Sequence, residues 1–119
     1  MRLIHCTQKL FKELGVVPTD PDVTQINPEG LGNWYANLLR FNRRKCILFT
    51  NEKTLYSFLI SGILKKDLLN IDNLFLRHLA YNLRYEGFST GVIERVMEEY
   101  KEIVFARQDH KQERAWLDE

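Results

Sequence analysis

Residues 34–62 read WYANLLRFNRRKCILFTNEKTLYSFLISG. Three apolar runs are separated by two short polar breaks, Asn42-Arg43 and Glu52-Lys53, a pattern that predicts three strands joined by tight hairpins. With two-residue loops, Phe41 sits opposite Arg44 and Asn51 opposite Thr54, and alternation then sorts the meander into two faces. One face carries Trp34, Ala36, Leu38, Ile47, Phe49, Tyr56, Phe58 and Ile60, apolar enough to be the core side of an antiparallel sheet. The other mixes Tyr35, Asn37, Leu39, Phe41, Arg44, Cys46 and Leu48 with Thr50, Ser57, Leu59 and Ser61, and is expected to be half covered by the first helix.

Outward from this meander, residues 2–6 read as a first strand. Thr7 stands as the N-cap of a short helix carrying Leu10, Phe11 and Leu14, which Gly15 closes. Residues 16–33 hold all three prolines and two glycines, which breaks any regular period and predicts a long loop. A polar connection follows the meander. Asp72 then caps a helix over 73–86 with Phe75, Leu76, Leu79, Ala80 and Leu83 on one stripe; Gly87 ends it and Phe88 folds back on it. Ser89 caps a second helix over 90–101 built on Val92, Ile93, Val96, Met97 and Tyr100. Residues 103–107 read as a last short strand, and 108–119 as a polar tail. The expected class is α+β: a small antiparallel sheet, the three-stranded meander plus one or two terminal strands, packed against a helical hairpin and a short N-terminal helix.

At 119 residues the chain fits one domain, well short of the roughly 250 residues at which a core divides. Its 45% hydrophobic and 28% charged content is that of an ordinary globular protein, so it is expected to fold by burial. A formal charge of +1 gives the whole molecule no field that draws it to nucleic acid or anionic lipid, so any such role needs a local patch. Cys6 and Cys46 lie in no metal-ligand spacing, and no cofactor is expected. The opening residues form no signal-peptide core and no run of about 18 apolar residues exists, so a cytoplasmic protein that does not enter a membrane is expected.

Two blocks carry a resemblance. Ile4-His5-Cys6-Thr7-Gln8-Lys9-Leu10 leads into Glu13-Leu14-Gly15, and Trp34-Tyr35-Ala36-Asn37-Leu38-Leu39 is followed by Asn42-Arg43-Arg44-Lys45 and Leu48-Phe49-Thr50-Asn51. In these the chain resembles a family of short bacterial and archaeal proteins known only as a domain of unknown function, from about Leu3 to about Phe105, with the tail departing from the pattern. The resemblance implies a compact domain and transfers no activity.

Few residues invite chemistry. Asn37 places an amide in an otherwise apolar strand, where an unmet polar group costs roughly 1–3 kcal/mol. It either joins Ser57, Thr50 and Arg44 in a small ligand site or bonds the backbone of the 16–33 loop. Arg40, Arg43, Arg44 and Lys45 crowd one hairpin tip, where they either hold phosphate or merely guard the hairpin against edge pairing. Tyr35, Phe41 and Trp116 are candidate aromatic contacts for a partner. His5 and Cys6 are neighbours on a strand and point to opposite faces, so they do not form a nucleophile and its base. His78 and His110 supply no third member. The expected function is therefore a non-catalytic binding or protein-interaction module with an unidentified protein partner. The alternative is a nucleic-acid accessory protein using the basic hairpin, and an enzyme ranks third.

Overall fold

The structure is a computed structural model and describes residues 2–15 and 30–107. It is an α+β fold in the order β1 (Arg2–Cys6), α1 (Gln8–Leu14), β2 (Trp34–Phe41), β3 (Arg44–Asn51), β4 (Ser57–Ser61), α2 (Lys65–Leu69), α3 (Ile71–Tyr85), α4 (Thr90–Glu99) and β5 (Ile103–Arg107). The five strands form one sheet ordered β4-β3-β2-β1-β5. The meander is antiparallel as expected. Both terminal strands join it, but β1 runs parallel to β2 and to β5, which makes the sheet mixed.

The first hairpin has the expected register, Phe41 opposite Arg44, with Asn42 and Arg43 at φ 51° and 66°. That left-handed pair is what a two-residue hairpin turn requires to match strand twist. The second turn is longer than expected. Thr50 pairs with Ser57, and the Asn51 amide donates to the Tyr56 carbonyl, not to Thr54. Asn51 is the cause. Its Oδ1 accepts from the Lys53 and Thr54 amides, both at 3.0 Å, and from the Thr54 hydroxyl at 3.1 Å, so the side chain builds its own turn. The register moves by two residues, which keeps every side chain on its expected face.

The helices cover the face of Trp34, Ala36, Leu38, Ile47, Phe49, Phe58 and Ile60, all buried. Phe75 of α3 stands at the centre of an aromatic cluster, its ring centroid 5.0 Å from Phe49, 5.5 Å from Trp34, 5.6 Å from Tyr100 and 6.1 Å from Phe58. The first helix lies on this same face, contrary to expectation: Leu10 and Phe11 belong to the core cluster. Two facts explain it. Its apolar residues need an apolar surface, and the connection between parallel β1 and β2 has to cross over one face of the sheet. Thr7 occupies the N-cap position without a cap bond, and its buried Oγ1 has no partner among the described residues.

The connection after β4 contains α2, which buries Leu68, and the amide of its N-cap residue Leu64 donates to Asp67. Asn70, not Asp72, stands at the start of α3. The other caps follow expectation. Gly87, at φ 91°, lets Phe88 N reach the Leu83 carbonyl at 3.1 Å, and Ser89 Oγ accepts from Val92 N at 3.3 Å.

A polar network ties residues 30–33 to this frame. Glu99 at the end of α4 accepts from Leu31 N at 3.0 Å and Gly32 N at 2.9 Å, and pairs with Arg2 Nε at 2.8 Å. Tyr100 donates to the Gly32 carbonyl at 2.6 Å and accepts from Trp34 Nε1 at 2.7 Å. Asn51 Nδ2 donates to Leu31 O, and Asn33 Oδ1 accepts from Leu3 N. The backbone passes so close to Glu99 that a Cβ on Gly30 would lie 2.4 Å from its Oε1.

Phe49 and Phe58 fill the space between sheet and α3. Truncating either to Ala is expected to cost about 3–5 kcal/mol in chemical denaturation; a loss below about 1 kcal/mol contradicts the packing described.

Candidate functional site

Between α3 and the β3–β4 turn lies a cleft of about 380 Å³. Leu31, Trp34, Leu79, Leu83 and Phe88 give it an apolar wall, and Tyr56, Asn51, Thr54 and Glu86 contribute the polar atoms. Most of those atoms are already engaged. Asn51 Oδ1 has three donors, its Nδ2 serves Leu31, and Thr54 Oγ1 donates to Asn51 while accepting from Tyr56 N. The Trp34 indole N–H is committed to Tyr100, whose phenol burial pushes up and keeps protonated. That leaves the exposed Glu86, with Tyr56 beside it. The Tyr56 hydroxyl lies 3.4 Å from Asn82 Oδ1, and its acidity is lowered by burial first, then by the neighbouring Glu86 carboxylate and its hydrogen bond. The cleft is thus an apolar slot with a carboxylate at its exposed rim. None of its residues is among the expected site residues. The signal available in the sequence was the position of Leu79 and Leu83 on the α3 stripe next to Glu86-Gly87-Phe88, where the helix ends.

A second concavity, of about 500 Å³, lies at the β2–β3 hairpin tip. It brings together Arg40, Arg43, Arg44 and Lys45, lined on the other side by Gly62, Ile63 and Leu64. Arg40 lies directly opposite Lys45. Lys45 turns away to Glu13 at 3.0 Å, and no carboxylate pairs with Arg40, Arg43 or Arg44 among the described residues.

The remaining expected residues lie on the sheet face away from the helices. Tyr35 packs against His5 with ring centroids 5.2 Å apart. Asn37, half-buried opposite Leu48, makes no side-chain hydrogen bond among the described residues, whereas Thr50 and Ser57 bond each other at 2.9 Å. The described end of the loop is held by Asn51 and Glu99, and the rest of the 16–33 segment, one of the two partners expected for Asn37, lies outside the described residues. Trp116 lies outside the described residues. Cys6 faces the core, and burial pushes its thiol far above the ordinary range, so it forms no nucleophilic thiolate at neutral pH.

A family model described as a domain of unknown function, DUF6933, matches residues 3–118. The chain belongs to that family. The match takes in the tail, correcting the expectation that similarity stops near Phe105. No curated protein and no solved structure matches this DUF6933 chain. Among the described residues no helix is long and apolar enough to cross a membrane, and no group of three His, Cys, Asp or Glu side chains is placed to hold a metal ion.

His5 gives a pH prediction. Burial lowers its pKa below the ordinary 6.5, more than Glu52 raises it. The folded state then holds its proton less tightly than the unfolded chain, so the His5 contribution is whole above pH 6.5 and is lost as pH falls through the folded pKa. Stability measured by denaturation is expected to fall from pH 7 to pH 5, less steeply in His5→Phe; identical slopes contradict it.

Proposed function

We propose that the chain is a non-catalytic binding module whose ligand enters the cleft between α3 and the β3–β4 turn. A volume of about 380 Å³ lies in the roughly 300–1,000 Å³ range of small-molecule sites, which favours a compact ligand over the expected protein partner. The observation that carries the reading is the disposition of polar atoms. Asn51 and Thr54 satisfy each other or the backbone and the Trp34 indole serves Tyr100, while the Glu86 carboxylate stays at the rim. The matching ligand has an aromatic or aliphatic body and one ammonium or comparable donor placed toward Glu86, where a charge-assisted hydrogen bond adds about 1.5–3 kcal/mol.

Two probes with one indole body test this. Tryptamine is expected to shift the nuclear magnetic resonance signals of the Leu79, Leu83 and Trp34 side chains and to saturate, with indole-3-propionate at least about tenfold weaker. Glu86→Gln is expected to erase the difference. Equal binding of amine and acid to the unaltered protein, shifts that map elsewhere, or no shifts at millimolar probe contradict the reading.

A further inference from the structure

The hairpin tip carries a feature that the cleft does not explain. Its turn places Arg43 at φ 66°, a conformation in which glycine and asparagine are at ease and a long side chain is strained. Cross-strand neighbours Arg40 and Lys45 put like charges face to face, which is destabilising without a counter-charge. Among the described residues, Glu13 takes Lys45, and Asp67 is turned onto the Leu64 amide. Three arginines therefore border one concavity with no carboxylate paired to them among the described residues, on a chain of net charge +1. Beside them Phe41, the cross-strand partner of Arg44, is 67% exposed, and Leu64 on the far wall is exposed as well. An arginine tip made only to resist edge pairing needs no exposed ring beside it.

We propose that this end of the sheet binds single-stranded nucleic acid, with phosphodiesters held by Arg40, Arg43 and Arg44 and one base stacked on Phe41. Cations that track a backbone next to an aromatic platform are what such strands require, since every base has a π-face and every linkage a charge. A single strand fits better than a duplex. The arginines leave the tip in different directions: Arg44 and Phe41 lie on the outer face of the sheet, Arg43 in the turn, and Arg40 on the core side beyond its edge. A flexible backbone follows that curve, and its unpaired bases reach Phe41, which stacked bases in a duplex do not. The site is separate from the cleft and does not depend on its ligand.

The test is fluorescence anisotropy of a labelled oligothymidylate of about eight nucleotides, within the 4–16 that such modules cover. Its competitors are the matching duplex, ATP and inorganic triphosphate. The unaltered protein is expected to bind the strand with a dissociation constant of about 10⁻⁴–10⁻⁶ M at physiological salt. Arg43→Gly with Arg44→Thr is expected to flatten the logarithmic salt slope by about 1.4, at roughly 0.7 per phosphate contact on a single strand. Glycine also relieves the turn, so this variant folds at least as well and lost binding is not lost structure. Phe41→Ala is expected to weaken binding at least about fivefold with the salt slope unchanged, the mark of a stacking contact. The proposal is overturned if the double variant binds as before, if no strand binding is seen at millimolar protein, or if duplex, ATP or triphosphate competes as well as the strand while Phe41→Ala changes nothing.

Discussion

The side chain of Glu99 meets three partners that belong to distant parts of the chain. Arg2 of β1, 5% exposed, and Glu99, 15% exposed, form an ion pair that is largely withdrawn from water. Taking two charges out of water is costly, and only a geometry that fills the remaining lone pairs offsets the cost. Here the amides of Leu31 and Gly32 fill them. The same carboxylate explains why the approach is glycine: at Gly30 a Cβ would collide with it, and Gly30 and Gly32 both have left-handed φ. The start of β1, the end of α4 and the entry to β2 are in this way closed into one corner. Next door Tyr100 and Trp34 continue the network into the aromatic core.

The corner also shapes the cleft. Leu31 is one wall of it, held through its amide by Glu99 and through its carbonyl by Asn51. Asn51 in turn sets the length of the β3–β4 turn and so the position of Tyr56 and Thr54. One asparagine and one glutamate thus place the wall and rim of the proposed binding site, although neither is left free to touch a ligand. The basic tip lies at the other end of β2 and β3, where the hairpin turns away from this corner.

The meander was legible because its signal is local: three apolar runs, period-two alternation and polar breaks fix strands, faces and the first hairpin without knowledge of the rest. Helix ends at Gly15, Gly87 and Ser89 were legible for the same reason. What was not legible depends on long-range pairing. The parallel placement of β1 and β5, and with it the position of α1, follows from how the terminal strands meet β2, and no spacing within either strand encodes that. The β3–β4 turn escaped because Asn51 reads as a strand end, while its side chain acts as a turn builder only once Thr54 folds back onto it. The cleft was hidden because it draws on β2, the β3–β4 turn and the end of α3, each unremarkable alone. The arginines of the tip were visible as a cluster, but the exposure of Phe41 beside them is a property of the folded sheet.

If Glu99 is the constraint that holds this corner, amide hydrogen exchange measured residue by residue in Glu99→Gln tests it most directly. Glutamine keeps one acceptor oxygen and removes the charge that Arg2 Nε meets at 2.8 Å, and breaking a buried pair costs about 3–5 kcal/mol. Exchange at Leu31 and Gly32 is expected to accelerate at least about tenfold more than at the central amides of β2 and β3, the mark of local opening below the global stability. Acceleration that is the same at all of these amides, or absent at Leu31 and Gly32, would contradict the account.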